Sequence, residues 1–117
     1  MQTFNIFNNE PDIHTFSAGQ FIFSEGDPGE CMFAVIEGEV EILRQNKVLE
    51  VVKAGGVFGE MALIDKQPRS ASAVAKTDGR LARISEDRFV RLVHQTPHFA
   101  LQIMRVLAKR VRHNLES

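Results

Sequence analysis

From His14 to Ile84, short apolar runs rich in Val, Ile and Phe alternate with turn signals. The breaks fall at Ser17-Ala18-Gly19, Gly26-Asp27-Pro28-Gly29, Gln45-Asn46-Lys47, Gly55-Gly56 and Asp78-Gly79. Runs of this length bounded by such residues predict strands. Between Gly38 and Leu43 the pattern alternates, with Glu39 and Glu41 on one face and Val40 and Ile42 on the other, as in a strand with one face in water. Many short strands at this spacing predict a sandwich or barrel of the jelly-roll kind. At Ser85 the period lengthens to that of a helix. Ser85 suits an N-cap, Glu86 and Asp87 a first turn, and Phe89, Val90, Leu92 and Val93 form an apolar stripe. Thr96 as N-cap and Pro97 at the first helical position restart the chain. The stripe of the last helix is Phe99, Ile103, Leu107 and Val111, with Ala100, Met104 and Leu115 beside it. The predicted organisation is one mainly β domain over 1–117, with a β roll over about 14–84 and helices over about 86–95 and 97–116. Met1 to Asp12 is short and polar, and Asn8, Asn9 and Pro11 read as a loop or ragged start.

Composition narrows the class. With 117 residues, 44% hydrophobic and 25% charged, the chain can bury one real core but not two. A net charge of −1 gives no basic field to draw it to nucleic acid, so no direct DNA binding is expected. Cys31 is the single cysteine, which excludes an internal disulfide and suits a reducing compartment. Its apolar neighbours predict a buried, inert thiol. No segment approaches the ~20 apolar residues of a membrane helix, and the N-terminus lacks the basic segment of a secretory signal. A cytoplasmic protein without membrane insertion is expected. His14, His94, His98 and His113 form no H-x-H pair on a strand, and His94 and His98 straddle the Thr96-Pro97 break, so no metal site is predicted. No serine–histidine or cysteine–histidine set stands at a recognisable spacing, and an enzyme is not expected.

One stretch carries candidate chemistry: Phe58-Gly59-Glu60-Met61-Ala62-Leu63-Ile64, then Pro68-Arg69-Ser70-Ala71-Ser72. Gly59 lets backbone approach a ligand, and the first amides of a helical turn, those of Met61 and Ala62 among them, have no internal partners. With the positive end of the turn's dipole behind them, they suit a phosphate. Arg69 adds a planar fork of donors, whereas Glu60 offers only acceptors, the complement of a sugar hydroxyl. Together they describe a site for a ribose phosphate. By residue type alone, Arg69 serves equally as a surface arginine or an ion-pair partner of Asp65 or Glu60, and Glu60 as a favourable acid in a first turn. Met61, Ala62, Leu63 and Ile64 are core by type.

The stretch resembles the phosphate-binding cassette of the cyclic-nucleotide-binding domain, the module of catabolite activator proteins, protein kinase A regulatory subunits and cyclic-nucleotide-gated channels. The family pattern reads F-G-E-aliphatic-A/G-L, a loop, then R-S/T/A-A. Further marks are Phe21-Ile22-Phe23-Ser24-Glu25-Gly26-Asp27, Met32-Phe33-Ala34-Val35-Ile36-Glu37-Gly38 and Ala75-Lys76-Thr77, so the likeness runs from about Phe16 into the last helix. The resemblance implies an eight-stranded jelly roll (a double-stranded β-helix) with a helical lid, binding a 3′,5′-cyclic nucleotide, cAMP favoured over cGMP, with no other cofactor. It implies that Gly59, Met61, Ala62, Arg69, Ser70 and Ala71 hold the phosphate and Glu60 the ribose. Ser70 leaves cGMP open, because a hydroxyl there can reach the amine of a syn guanine. Arg110 would brace Glu60, with Asn114 and Leu115 as candidate base contacts. Apolar residues of the Val48–Val52 strand would enclose the base, and the last helix would move on binding or serve a homodimer or partner protein. The expectation is a stand-alone sensor, with no helix-turn-helix, kinase or channel segment after Ser117. The alternatives are a ligand-free interaction module of the same fold, or the sensor fragment of a larger transcription regulator or channel.

Overall fold

A computed structural model describes Phe7 and residues 10–116, with the side chains of the last helix as far as Arg112. Eight strands form two four-stranded antiparallel sheets. β1 (Ile13–Phe16), β8 (Gly79–Ser85), β3 (Cys31–Glu37) and β6 (Val57–Phe58) make one, in that order. β2 (Phe21–Phe23), β7 (Ser72–Ala75), β4 (Glu39–Arg44) and β5 (Lys47–Lys53) make the other. Successive strands hop between the sheets except at the β4–β5 hairpin, which is the jelly-roll winding that the resemblance implies.

The strand patterns follow from what covers each face. β3 is buried along Cys31–Val35 without alternation. Its Phe33 and Val35 face the opposite sheet, whereas Met32 and Ala34 belong to a second cluster beneath the helices. A strand covered on both faces needs no polar positions. β4 is covered on one face only, so Val40 is fully buried and Glu39 and Glu41 are half-exposed.

α2 (Glu86–Gln95) starts at Ser85, whose side chain accepts from the Arg88 amide at 3.2 Å. A cap of this kind contributes about 1 kcal/mol. Thr96 closes α2, its amide donating to the Leu92 carbonyl at 2.8 Å, and α3 is helical from His98 to Glu116, one residue later than the Thr96-Pro97 pattern predicts. The predicted stripe of α3 is also corrected. Phe99, Ile103 and Val106 are its buried residues; Met104 and Val111 are 57% and 53% exposed. Steps of four residues overshoot a full turn by about 40°, so the row through Leu107 to Val111 drifts off the core, while steps of four and then three stay on it. Continued by one more step of four, the inward row reaches Arg110.

Two described residues of the N-terminal lead are anchored to the helices. Phe7 is 2% exposed and meets Phe99 edge-on, with ring centroids 5.6 Å apart. The buried Glu10 takes two hydrogen bonds from Arg88, at 2.8 and 2.7 Å. Asn8 and Asn9 lie outside the described residues.

Candidate functional site

Two connections that cross between the sheets meet at one end of the sandwich. One is residues 24–30, joining β2 to β3. The other runs from β6 through the single turn α1 (Met61–Ile64) to β7. They are stitched by two backbone bonds of 2.8 Å, Gly26 amide to Arg69 carbonyl and Arg69 amide to Asp27 carbonyl. The backbone of Arg69 is thereby pinned, and its side chain turns inward.

Arg69 is 8% exposed. Its Nη1 donates to the Gly59 carbonyl at 2.9 Å and its Nη2 to the Cys31 carbonyl at 2.8 Å. The guanidinium carbon stands 4.1 Å above the centre of the Phe23 ring, a cation–π stack. Its Nε is buried without a hydrogen-bond partner among the described residues. Burial lowers the Arg69 pKa below its usual value, against the opposing influence of Cys31, Glu60 and Asp27. Neither Asp65 nor Glu60 bonds to it, so the ion-pair reading of this arginine does not hold. Two glycines clear its space. A Cβ at Gly29 would lie 2.8 Å from Arg69 Nε and 2.7 Å from the Ala62 Cβ. A Cβ at Gly59 would lie 2.8 Å from Nη1, and Gly59 also holds φ +76°, a left-handed conformation that side chains resist.

Glu60 is the N-cap residue of α1, yet its side chain makes no capping bond. It is 3% exposed and points to α3, where Arg110 Nη1 donates to its Oε1. Arg110 also grips Glu50 of β5, Nε to Oε1 at 2.9 Å and Nη2 to Oε2 at 3.1 Å, and donates from Nη2 to the Val57 carbonyl at 2.6 Å. Burial would lower the Arg110 pKa, but hydrogen bonds and charge from Glu50 and Glu60 outweigh it, and the pKa lies above its usual value.

Between these two arginines lies a cavity of about 640 Å³. Ile42 and Leu49 line one wall, Val106, Leu107 and Val111 of α3 the facing one, and Gly59–Ala62 with Arg69–Ala71 the floor. The volume and the mix of apolar walls with a few polar groups are those of a small-molecule site. Its charged lining is four cations (Arg44, Arg69, Lys109, Arg110) against three carboxylates (Glu50, Glu60, Asp65).

The structure thus brings Gly59, Glu60, Met61, Ala62, Arg69, Ser70, Ala71 and Arg110 to one cavity. Asn114 and Leu115 lie outside the described side chains. Met61 and Ile64 are 46% and 53% exposed, which corrects their reading as core: a single turn buries one side, here Ala62. The Ala62 amide reaches back to the Gly59 carbonyl at 3.4 Å, so it is partly committed within the turn. Ser70 is exposed at the rim, and its carbonyl accepts from Arg44 Nε at 3.1 Å. As parts of the cavity or its supports, Phe23, Gly29, Cys31, Arg44 and Glu50 escape the sequence reading, which takes Gly29 only as a turn residue and Cys31 only as a buried thiol. Glu50 leaves a trace as an acid interrupting Val48-Leu49-Glu50-Val51-Val52.

Known proteins resemble this arrangement. A family model described as the cyclic nucleotide-binding domain matches residues 13–96. The cAMP-dependent protein kinase regulatory subunit of Emericella nidulans is 39% identical over 84 residues, covering 70% of this chain and 20% of its own length. The cyclic AMP receptor protein of Thermus thermophilus is 34% identical over 102 residues, covering 83% of this chain and 47% of its own. A crystal structure of the Thermus thermophilus catabolite activator protein superposes with a TM-score of 0.80 at 32% identity, over 90% of this chain and 52% of that one. The chain therefore spans between a fifth and about half of these relatives. The match over both sheets and the residue 58–71 connection, on a jelly roll whose cavity holds the glycine, the acid and the arginine, makes this chain a member of the cyclic nucleotide-binding domain family.

Proposed function

We propose that this chain is a single-domain, non-catalytic sensor that binds a 3′,5′-cyclic nucleotide in the cytoplasm, with cAMP favoured over cGMP and no further cofactor. The observation that carries the reading is the buried Nε of Arg69. An unpaired buried donor costs about 1–3 kcal/mol, and a turn of the guanidinium that brings it to a phosphate oxygen in the cavity would satisfy it. The cyclic phosphate occupies the floor between the Gly59–Ala62 turn and Arg69, and the ribose 2′-hydroxyl donates to Glu60. The base lies among the apolar lining residues Ile42, Leu49 and those of α3. The names of the two relatives given above specify cAMP, which supports that nucleotide, although a cGMP-dependent protein kinase also matches.

Calorimetric titration of cAMP and cGMP side by side tests the proposal. Saturable binding of both, tighter for cAMP, is expected; no heat from either rejects it. A 2′-deoxy analogue should bind at least about tenfold more weakly, since a charged hydrogen bond contributes ~1.5–3 kcal/mol. Nucleotide binding biases the late part of α3, which Arg110 ties to the cavity. Hydrogen exchange in α3 with and without nucleotide measures that bias; unchanged protection leaves a binder without a switch.

One observation also favours a second copy of the chain as partner. Leu101, Met104, Ala108 and Val111 are exposed along α3 at spacings of three, four and three, the seam of a coiled coil. Light scattering on the purified protein should give a dimer, and a monomer at all concentrations removes this partner. No helix among the described residues is long and apolar enough to cross a membrane.

A further inference from the structure

Glu50 sits in the middle of β5, in an otherwise apolar run, and lines the cavity. Both of its oxygens are spent on Arg110, one on Nε and one on Nη2. A two-point grip on one edge of a planar guanidinium fixes the orientation of the whole plane. With that edge held by Glu50 and by the Val57 carbonyl, Nη1 is the nitrogen left for Glu60. Glu60 is nearly fully buried, and Arg110 is the only ion partner it has among the described residues. Glu50 and Arg110 are both about a quarter exposed, so an arginine released by Glu50 has room to turn towards water.

We propose that Glu50 is a positioning residue for the sugar end of the cavity: it aims Arg110, and through Arg110 it holds the Glu60 carboxylate where a ribose hydroxyl meets it. This inference rests on the cyclic-nucleotide reading above. It carries an unusual sign. Glu50 and Glu60 share one cation, so by charge alone removing Glu50 would strengthen the Arg110–Glu60 pair and sharpen recognition of the sugar. If orientation governs, removing Glu50 blunts that recognition.

The experiment compares wild type, Glu50→Ala and Glu50→Gln for affinity towards cAMP and 2′-deoxy-cAMP by calorimetry. In wild type the ribose form should win by at least about tenfold. In E50A the preference should shrink by about threefold or more, with E50Q between, while the affinity for the 2′-deoxy analogue changes by less than about twofold. A general loosening of the fold would weaken both ligands alike and leave the ratio unchanged, which overturns the proposal, as does a ratio that grows. Deuterium uptake around Arg110, measured on the protein without nucleotide, is the second readout. Faster uptake in E50A supports the tie and equal uptake overturns it. If wild type binds neither nucleotide, the functional reading fails, and the uptake comparison still decides whether Glu50 holds Arg110.

Discussion

The two arginines that flank the cavity are held in opposite ways. Arg69 rests on neutral carbonyls of Gly59 and Cys31 and on the face of Phe23, and its charge meets no carboxylate directly. Arg110 is clasped by two carboxylates and a carbonyl, which leaves it charge-compensated. Their pKa values move accordingly, down for Arg69 and up for Arg110. A cation kept uncompensated retains its attraction for an incoming anion, whereas one already paired acts as a brace. Under the proposed function, one end of the cavity receives charge and the other holds a shape.

Substitutions should separate the two roles. The largest effect expected is on stability from Arg110→Ala, which strands Glu60 as a buried charge. Removing one partner of a buried pair costs about 3–5 kcal/mol, and partial exposure of Arg110 places the loss near 3 kcal/mol. Urea denaturation measures it, and a loss under 1 kcal/mol (about a fivefold change in the folding equilibrium) would mean that Arg110 braces nothing. Arg69→Ala comes next and should act chiefly on affinity, weakening cyclic-nucleotide binding at least about tenfold. Arg69→Lys should recover little, because a point charge cannot reproduce the fork. Equal affinity before and after these changes in calorimetry would erase the contrast between the two ends.

Smaller effects sharpen it further. Gly29→Ala places a methyl group against Arg69 Nε and Ala62, an overpacking that costs about 1–3 kcal/mol and should lower affinity by displacing the guanidinium. Unchanged binding by this variant would mean that Arg69 tolerates a shift. Met104→Ser, on the exposed side of α3, should change the stability of the fold by no more than about 0.5 kcal/mol. Its effect should appear in the dimer alone, as a shift towards monomer in light scattering.

Local patterns are legible where a local cause produces them. Ser85 caps α2 because a hydroxyl beside a free amide needs only three residues of chain. Glu39, Val40 and Glu41 alternate because one face of β4 meets water. Gly59, Glu60 and Arg69 can be read from their order along a single connection. The inward fold of Arg69 cannot, since its acceptor at Cys31 lies 38 residues away, nor can the partner of Arg110 at Glu50, 60 residues away. Phe7 and Glu10 look like debris until Phe99 and Arg88 are brought to them. The stripe of α3 departs from its apolar pattern at Met104 and Val111 because sequence shows which residues are apolar but not which side of the helix is covered.

The short strands followed by two helices are legible in the sequence because periodicity and turn chemistry act over a few residues. The jelly roll and the cassette are legible in it only through the resemblance to a known family. Which arginine rests on neutral carbonyls and which is clasped by carboxylates was decided only by tertiary structure. Both carry the same guanidinium, and a guanidinium's role depends on the charges around it. Those charges come from β5 and the turn at Glu60, elements that chain order separates and packing assembles around α3.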